Sequence, residues 1–252
     1  MQRRDFLRTT VAGGLGLSTL AHQTLAQMPR IEPARANPGF QPDVELALTA
    51  QRGDWAVLPG AQTSLWHFTG QVMKGDASVL SFADGSGHLP VLRLRRGQKV
   101  RIHFDNRLPE ASIVHWHGLN IPQRMDGHPM YAIEPGERYV YEFEIVNRAG
   151  TYWFHPHPHG HTAEQAYRGL AGLVIVSDPE ETALGLPAGA QDVPLVLQDR
   201  KFDADNQFVF IAGGMAGMMD QMMGVLGDRI LVNGQPDVVL PVATQPYRLR
   251  LL

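Results

Sequence analysis

The 252-residue sequence has no cysteine. That excludes disulfides, thiolate catalysis, Cys-ligated zinc and iron–sulfur clusters within these residues. It also excludes a complete blue-copper site, whose usual ligands include a cysteine thiolate. Long apolar runs are missing as well: the Gly-rich stretch 11–20 is too short to span a bilayer, so no stable membrane insertion is expected. Neither sign of charge dominates, with 22 Lys and Arg against 25 Asp and Glu. The basic residues are scattered, which gives no electrostatic footprint for nucleic acid. Helical periodicity is scarce outside a short piece near 162–167 and a methionine-rich stretch at 215–223.

What the chain does have is histidine in close pairs: His115 and His117 in VHWHG, and His155 and His157 in YWFHPHPHGH. In an extended strand, residues two apart share a face, so each pair projects together while Trp116 and Pro156 point the other way. Crowded imidazoles without partners are costly to bury, and a borderline transition metal removes that cost. Zinc, copper, nickel and iron all suit such a donor set, and the competing reading is surface or backbone-bonded histidines. Pro156 and Pro158 cannot donate to a central ladder, which predicts a strand end or edge for this run.

The surrounding pattern is one of strands. Val44, Leu46 and Leu48 alternate with polar or small residues, as do Leu92 and Leu94, then Val100, Ile102 and Phe104, and then Tyr139, Tyr141, Phe143 and Ile145. Asp84 to Gly87 reads as a turn, and 170–176 as a continuous apolar strand that closes the sheet. Short strands with frequent turns predict an all-β, two-sheet Greek-key sandwich. His67 is read as solvent-facing or backbone-bonded, and His103 as part of a polar face. His128, His159 and His161 are read as surface or supporting residues.

From about Pro90 to Asp178 the chain resembles the first cupredoxin domain of the multicopper oxidases, in their laccase-like and periplasmic copper-efflux group. HWHGLNIP, RMDG, GTYWFHPHPHG and YRGLAGLVIV carry the resemblance in content, order and spacing. It implies a cupredoxin-like sandwich and copper as cofactor. It also implies an enzyme that takes single electrons from a donor and reduces dioxygen to water at a trinuclear cluster. By the same resemblance His115 is a type 2 copper ligand, and His117, His155 and His157 are type 3 ligands. Asp126, in RMDG, is the acid beside the cluster that delivers protons. The remaining cluster histidines and the type 1 Cys and His of a typical member have no counterpart in these residues.

The expected organisation starts with a twin-arginine-type export signal over 1–26, carried by Arg3, Arg4 and the small-residue site ending at Ala26. Its removal takes away three arginines and one aspartate, leaving 19 basic against 24 acidic residues and a formal charge of −5 in the periplasm. A Pro-rich linker or arm spans 27–42, a first cupredoxin-like domain 43–180, and a linker 181–190. An incomplete second cupredoxin-like domain spans 191–252, so the chain is read as a fragment, a truncated frame or one piece of a larger assembly. Its partners are then dioxygen, a small reducing substrate (phenol, aromatic amine, Cu(I) or Mn(II)) and a C-terminal cupredoxin domain or equivalent chain. Oligomeric state is not legible.

Met215, Met218, Met219, Met222 and Met223 form a helical stripe, read as packing or flexible segment, or as a contact for Cu(I) or substrate. A non-enzymatic copper-binding or cell-envelope structural protein is the alternative function. The four retained histidines favour the enzyme, because the structural relatives of these oxidases typically lose them.

Overall fold

The computed structural model describes residues 31–83, 87–211 and 213–252. The expected export signal, and three residues of the turn expected at Asp84, fall outside them. Residues 33–252 form one compact unit. In chain order its strands are β1 (Val44–Trp55), β2 (Thr63–Lys74), β3 (Leu80–Phe82), β4 (Pro90–Arg95), β5 (Lys99–Asn106), β6 (Val114–His117), β7 (Arg138–Glu144), β8 (Gly150–Pro156), β9 (Gly172–Ser177), β10 (Asp192–Leu195), β11 (Leu197–Arg200), β12 (Arg229–Val232) and β13 (Arg248–Leu251). The helices are α1 (Thr162–Tyr167), α2 (Pro179–Ala183) and α3 (Gly214–Met223).

Two mixed sheets face each other. The first has the order β2-β1-β5-β7 and the second β3-β4-β9-β8-β6, with β1–β5 and β4–β9 parallel. The alternating apolar residues supply the shared core: Leu46, Leu48, Ile102, Phe104, Tyr139 and Tyr141 come from the first sheet, and Leu94, Trp116, Phe154 and Val174 from the second. Aromatic rings meet across the gap, with Phe68 against Phe154 at 5.3 Å and Trp116 edge-on to Tyr141 at 5.3 Å. Beneath Phe154, Gly172 has no room for a side chain, since a Cβ there would lie 2.1 Å from the ring.

β9 is buried on both faces, as its uninterrupted apolar sequence requires. One face enters the main core, and the other packs Leu173 and Ile175 with Val91, Ala171 and Val196. Val196 belongs to the segment that carries two further two-stranded sheets, parallel β10–β13 and antiparallel β11–β12. Polar contacts orient this segment: Arg250 Nε donates to Asp192 at 2.6 Å, and its Nη1 to Thr151 Oγ1 at 3.2 Å. Such buried pairs fix geometry more than they add stability.

One expectation is corrected here, and one set of alternatives is narrowed. His67 is not solvent-facing but 3% exposed, because it shares the parity of the buried Leu65 and lies against Trp55 at 4.4 Å between ring centroids. Burial, then the neighbouring His88, pushes its pKa down to about 4. The methionine stripe does not pack. α3 turns Gly217 and Asp220 inward, and its five methionines are 53–82% exposed.

Candidate metal centre

The pairing register of two strands builds the site. β6 is the edge of the second sheet, and antiparallel pairing with β8 sets His115 directly opposite His155 and His117 opposite Trp153. Residues opposite one another share a face. One side of this ribbon therefore carries the histidines and Trp153, and the other sends Trp116 and Phe154 into the core. Pro156 ends β8, after which His157 N donates to Ile113 O at 2.8 Å and continues the same ladder.

Residues from the opposite sheet hold the ribbon. The fully buried Tyr141 of β7 accepts the Val114 N–H at 2.9 Å, and burial raises its pKa well above the phenol range. Tyr139 donates its hydroxyl to Arg124 O in the RMDG turn, and burial pushes its pKa up to about 12. Gly127 closes that turn at φ +73°, where a Cβ would stand 1.9 Å from Val114 O. Only glycine lets the turn press this closely on β6, and the approach puts Asp126 beside His115.

Nitrogens of His115, His117 and His155 all lie within 4.8 Å of one another. His157 stands outside this trio but beside it, with ring centroids 5.3 Å from His115 and 6.0 Å from His155. His115 Nδ1 donates to Asp126 O at 2.7 Å, and His155 Nδ1 donates to Pro156 O at 2.8 Å. These carbonyls fix the tautomer and leave each Nε2 lone pair turned to the cluster, as second partners do for metal-binding histidine. His155 Nε2 in turn lies 3.3 Å from His117 Nδ1. Two imidazole nitrogens sharing one tetrahedral ion, at bonds of about 2.0 Å, are separated by roughly 3.3 Å.

Burial favours the neutral form of two of the donors, His155 and His157. Burial, opposed by the bond to Pro156 and aided by the other imidazoles, lowers the His155 pKa to about 4. Burial and then His115 and His128 lower that of His157, whose Nδ1 is buried without a hydrogen-bond partner. Neutral imidazoles and a buried lone-pair nitrogen with nothing to bind fit a transition metal. Asp126 Oδ1 lies 3.3 Å from His115 Nδ1 but outside hydrogen-bonding geometry, and it too is buried without a hydrogen-bond partner.

The other histidines separate cleanly. His103 pairs with Glu45 at 2.6 Å, His161 approaches Glu110 at 3.7 Å, and His128 and His159 are exposed. Sequence reasoning missed Trp153, whose ring lies 4.3 Å from His155 and 5.1 Å from His117. Its parity with His155 is the signal that could have found it. Nothing in the local sequence signals Tyr141, which acts from the other sheet.

A family model described as multicopper oxidase matches residues 52–181. The multicopper oxidase mco of Staphylococcus aureus is 32% identical over 222 residues, 88% of this chain and 44% of that protein. Cell division protein FtsP of Escherichia coli (strain K12) is 28% identical over 261 residues, 100% of this chain and 49% of that protein. The crystal structure of the McoA multicopper oxidase from the hyperthermophile Aquifex aeolicus matches with a TM-score of 0.70 and 36% identity, over 88% of this chain and 46% of that one. A laccase from Pediococcus acidilactici matches with a TM-score of 0.68 and 31% identity, over 90% and 49%. The fold is thus a mixed-sheet, cupredoxin-like one, and the chain spans slightly under half the length of these relatives.

Proposed function

Since the chain belongs to the multicopper oxidase family, we propose that it forms the oxygen-reducing copper face of a laccase-like oxidase, and that His115, His117, His155 and His157 are half of the cluster ligands. The observation that carries this reading is the trio of histidine nitrogens within 4.8 Å, two of them held by backbone carbonyls. Copper held there would supply the one-electron steps that take dioxygen to water, with electrons from a phenol, an aromatic amine or a metal ion.

Each residue has its own task. His115 is the type 2 ligand, oriented by the Asp126 carbonyl, and His117, His155 and His157 are the type 3 ligands. Trp153 packs against the rings of His117 and His155 and restricts their movement. The Asp126 carboxylate, beside the cluster yet without a hydrogen-bond partner at Oδ1, holds and hands on a proton at that oxygen. With no cysteine among these residues, the entry copper and the other cluster histidines come from a further cupredoxin domain or partner chain. The segment 191–252 is the start of a second such domain, and Arg3-Arg4 directs export to the periplasm.

The test is calorimetric titration of the 252-residue chain with Cu(II), followed by oxygen uptake with a phenolic donor. Binding lost in H155A and H117A but retained in H161A, no turnover alone, and turnover with an added C-terminal half of a relative would support the reading. Equal copper binding in H155A and the parent would overturn it. The whole-chain match to a cell division protein favours a second reading, a structural envelope protein. That reading requires the histidine variants to behave as the parent does in the cell.

A further inference from the structure

We propose that the cleft between β8, α1 and residues 197–200, 210–211, 220 and 224–225 binds a small aromatic carboxylate. The cleft encloses about 520 Å³, and Trp153, Tyr167 and Phe210 give it aromatic walls. That volume is within the ordinary range for small-molecule sites.

Arg200 is the recognition group. It lines the cleft while only 7% exposed, with its guanidinium stacked 4.6 Å from the Tyr167 ring centroid. Its hydrogen bonds go to backbone carbonyls: Nη1 to Asp199 O at 2.7 Å, and Nη2 to Ala166 O at a long 3.5 Å. Nε is buried with no hydrogen-bond partner. The carboxylates around it are engaged elsewhere, Asp220 with Lys201 Nζ and Asp199 Oδ2 with Gly227 N at 2.6 Å. Asp199 acts on this guanidinium only through space, so a buried cation whose hydrogen bonds go to carbonyls lacks a paired carboxylate, which is costly. A monocarboxylate meets that need side-on, through Nε and the weakly used Nη2, in the two-pronged geometry arginine favours. A phosphate dianion is disfavoured, since Asp199 and Asp220 both line the same cleft. The three rings then hold the aromatic body. Burial also lowers the Arg200 pKa, and a bound carboxylate would reverse that. The proposal does not depend on the redox reading, although Trp153 is a wall common to both sites.

The probe is benzoate, with benzyl alcohol as its neutral counterpart, titrated into the chelator-treated 252-residue chain by calorimetry and ligand-observed NMR. Saturable benzoate binding is expected, about tenfold or more tighter than benzyl alcohol. R200M should weaken it by about tenfold, and so should A163W, which places an indole in the cleft from α1 and keeps the arginine. Melting curves establish that each variant is folded, and A163W alone decides the location if R200M is not. No saturable binding up to about 10 mM, equal binding of benzyl alcohol, or unchanged affinity in folded R200M or A163W would overturn the site.

Discussion

His115 is oriented by the main chain of Asp126 and not by its side chain: the Nδ1–H points at the carbonyl at 2.7 Å, while the carboxylate oxygen lies 3.3 Å away and out of line. Orientation and proton chemistry are therefore separable at this residue. D126N should leave the Cu(II) affinity of the chain within about threefold. In an oxidase assembled with the C-terminal half of a relative it should slow oxygen uptake by about tenfold or more and alter the pH profile. A large loss of copper affinity in D126N would show that the side chain positions the ligand.

The RMDG turn tolerates no side chain at its glycine. G127A places a Cβ 1.9 Å from Val114 O at a φ of +73°, so either β6 or the turn must move. We expect a loss of about 2 kcal/mol or more in urea unfolding. Copper affinity should fall with it, because His115 follows the turn.

Tyr141 is predicted to matter through one hydroxyl. Y141F keeps the ring in the core and leaves the Val114 N–H buried without its acceptor. The expected cost is about 1–3 kcal/mol of stability. The circular dichroism spectrum should be unchanged, which separates this loss from a repacked core.

Acid should weaken the metal-free fold in a defined window. His67 and His155 have folded pKa values of about 4, while an unfolded imidazole titrates near 6.5. Between those values the unfolded chain binds more protons, so stability falls as pH drops from about 6.5 to 4. Above that window these groups make no difference. H67L removes one of the two, and should lower the slope of stability against pH by up to about 1.4 kcal/mol per unit within the window. An unchanged slope would mean that His67 protonates freely in the folded state.

Much of this was legible because the fold repeats a period of two. The alternation through Tyr139, Tyr141 and Phe143 named core residues, and the spacing of His115 with His117 and of His155 with His157 named one face of each strand. Parity cannot say which strands pair, nor in what register, and that register brings His115 opposite His155. His67 was misplaced although it shares the parity of Leu65, on the face where Leu231, Phe202 and Phe208 pack from more than 130 residues later. The methionines were legible as a helix but not as an exposed one, since a stripe of one residue type does not reveal which side meets the protein. The partnerless Nε of Arg200 arises from the convergence of α1 with β11, which no local pattern encodes.

The histidine face and the Trp116–Phe154 core face are the two sides of one two-stranded ribbon. A one-residue slip of β8 against β6 and β9 would exchange them. Phe154 would then be offered to solvent and His155 to the hydrocarbon interior. Such a change of register is therefore eliminated by failure to fold before any effect on chemistry can arise. Substitution can erase the ligands one at a time and leave a sound protein, but no small shift in the chain can relocate them. Descendants of such a chain would keep the site where it is or lose it.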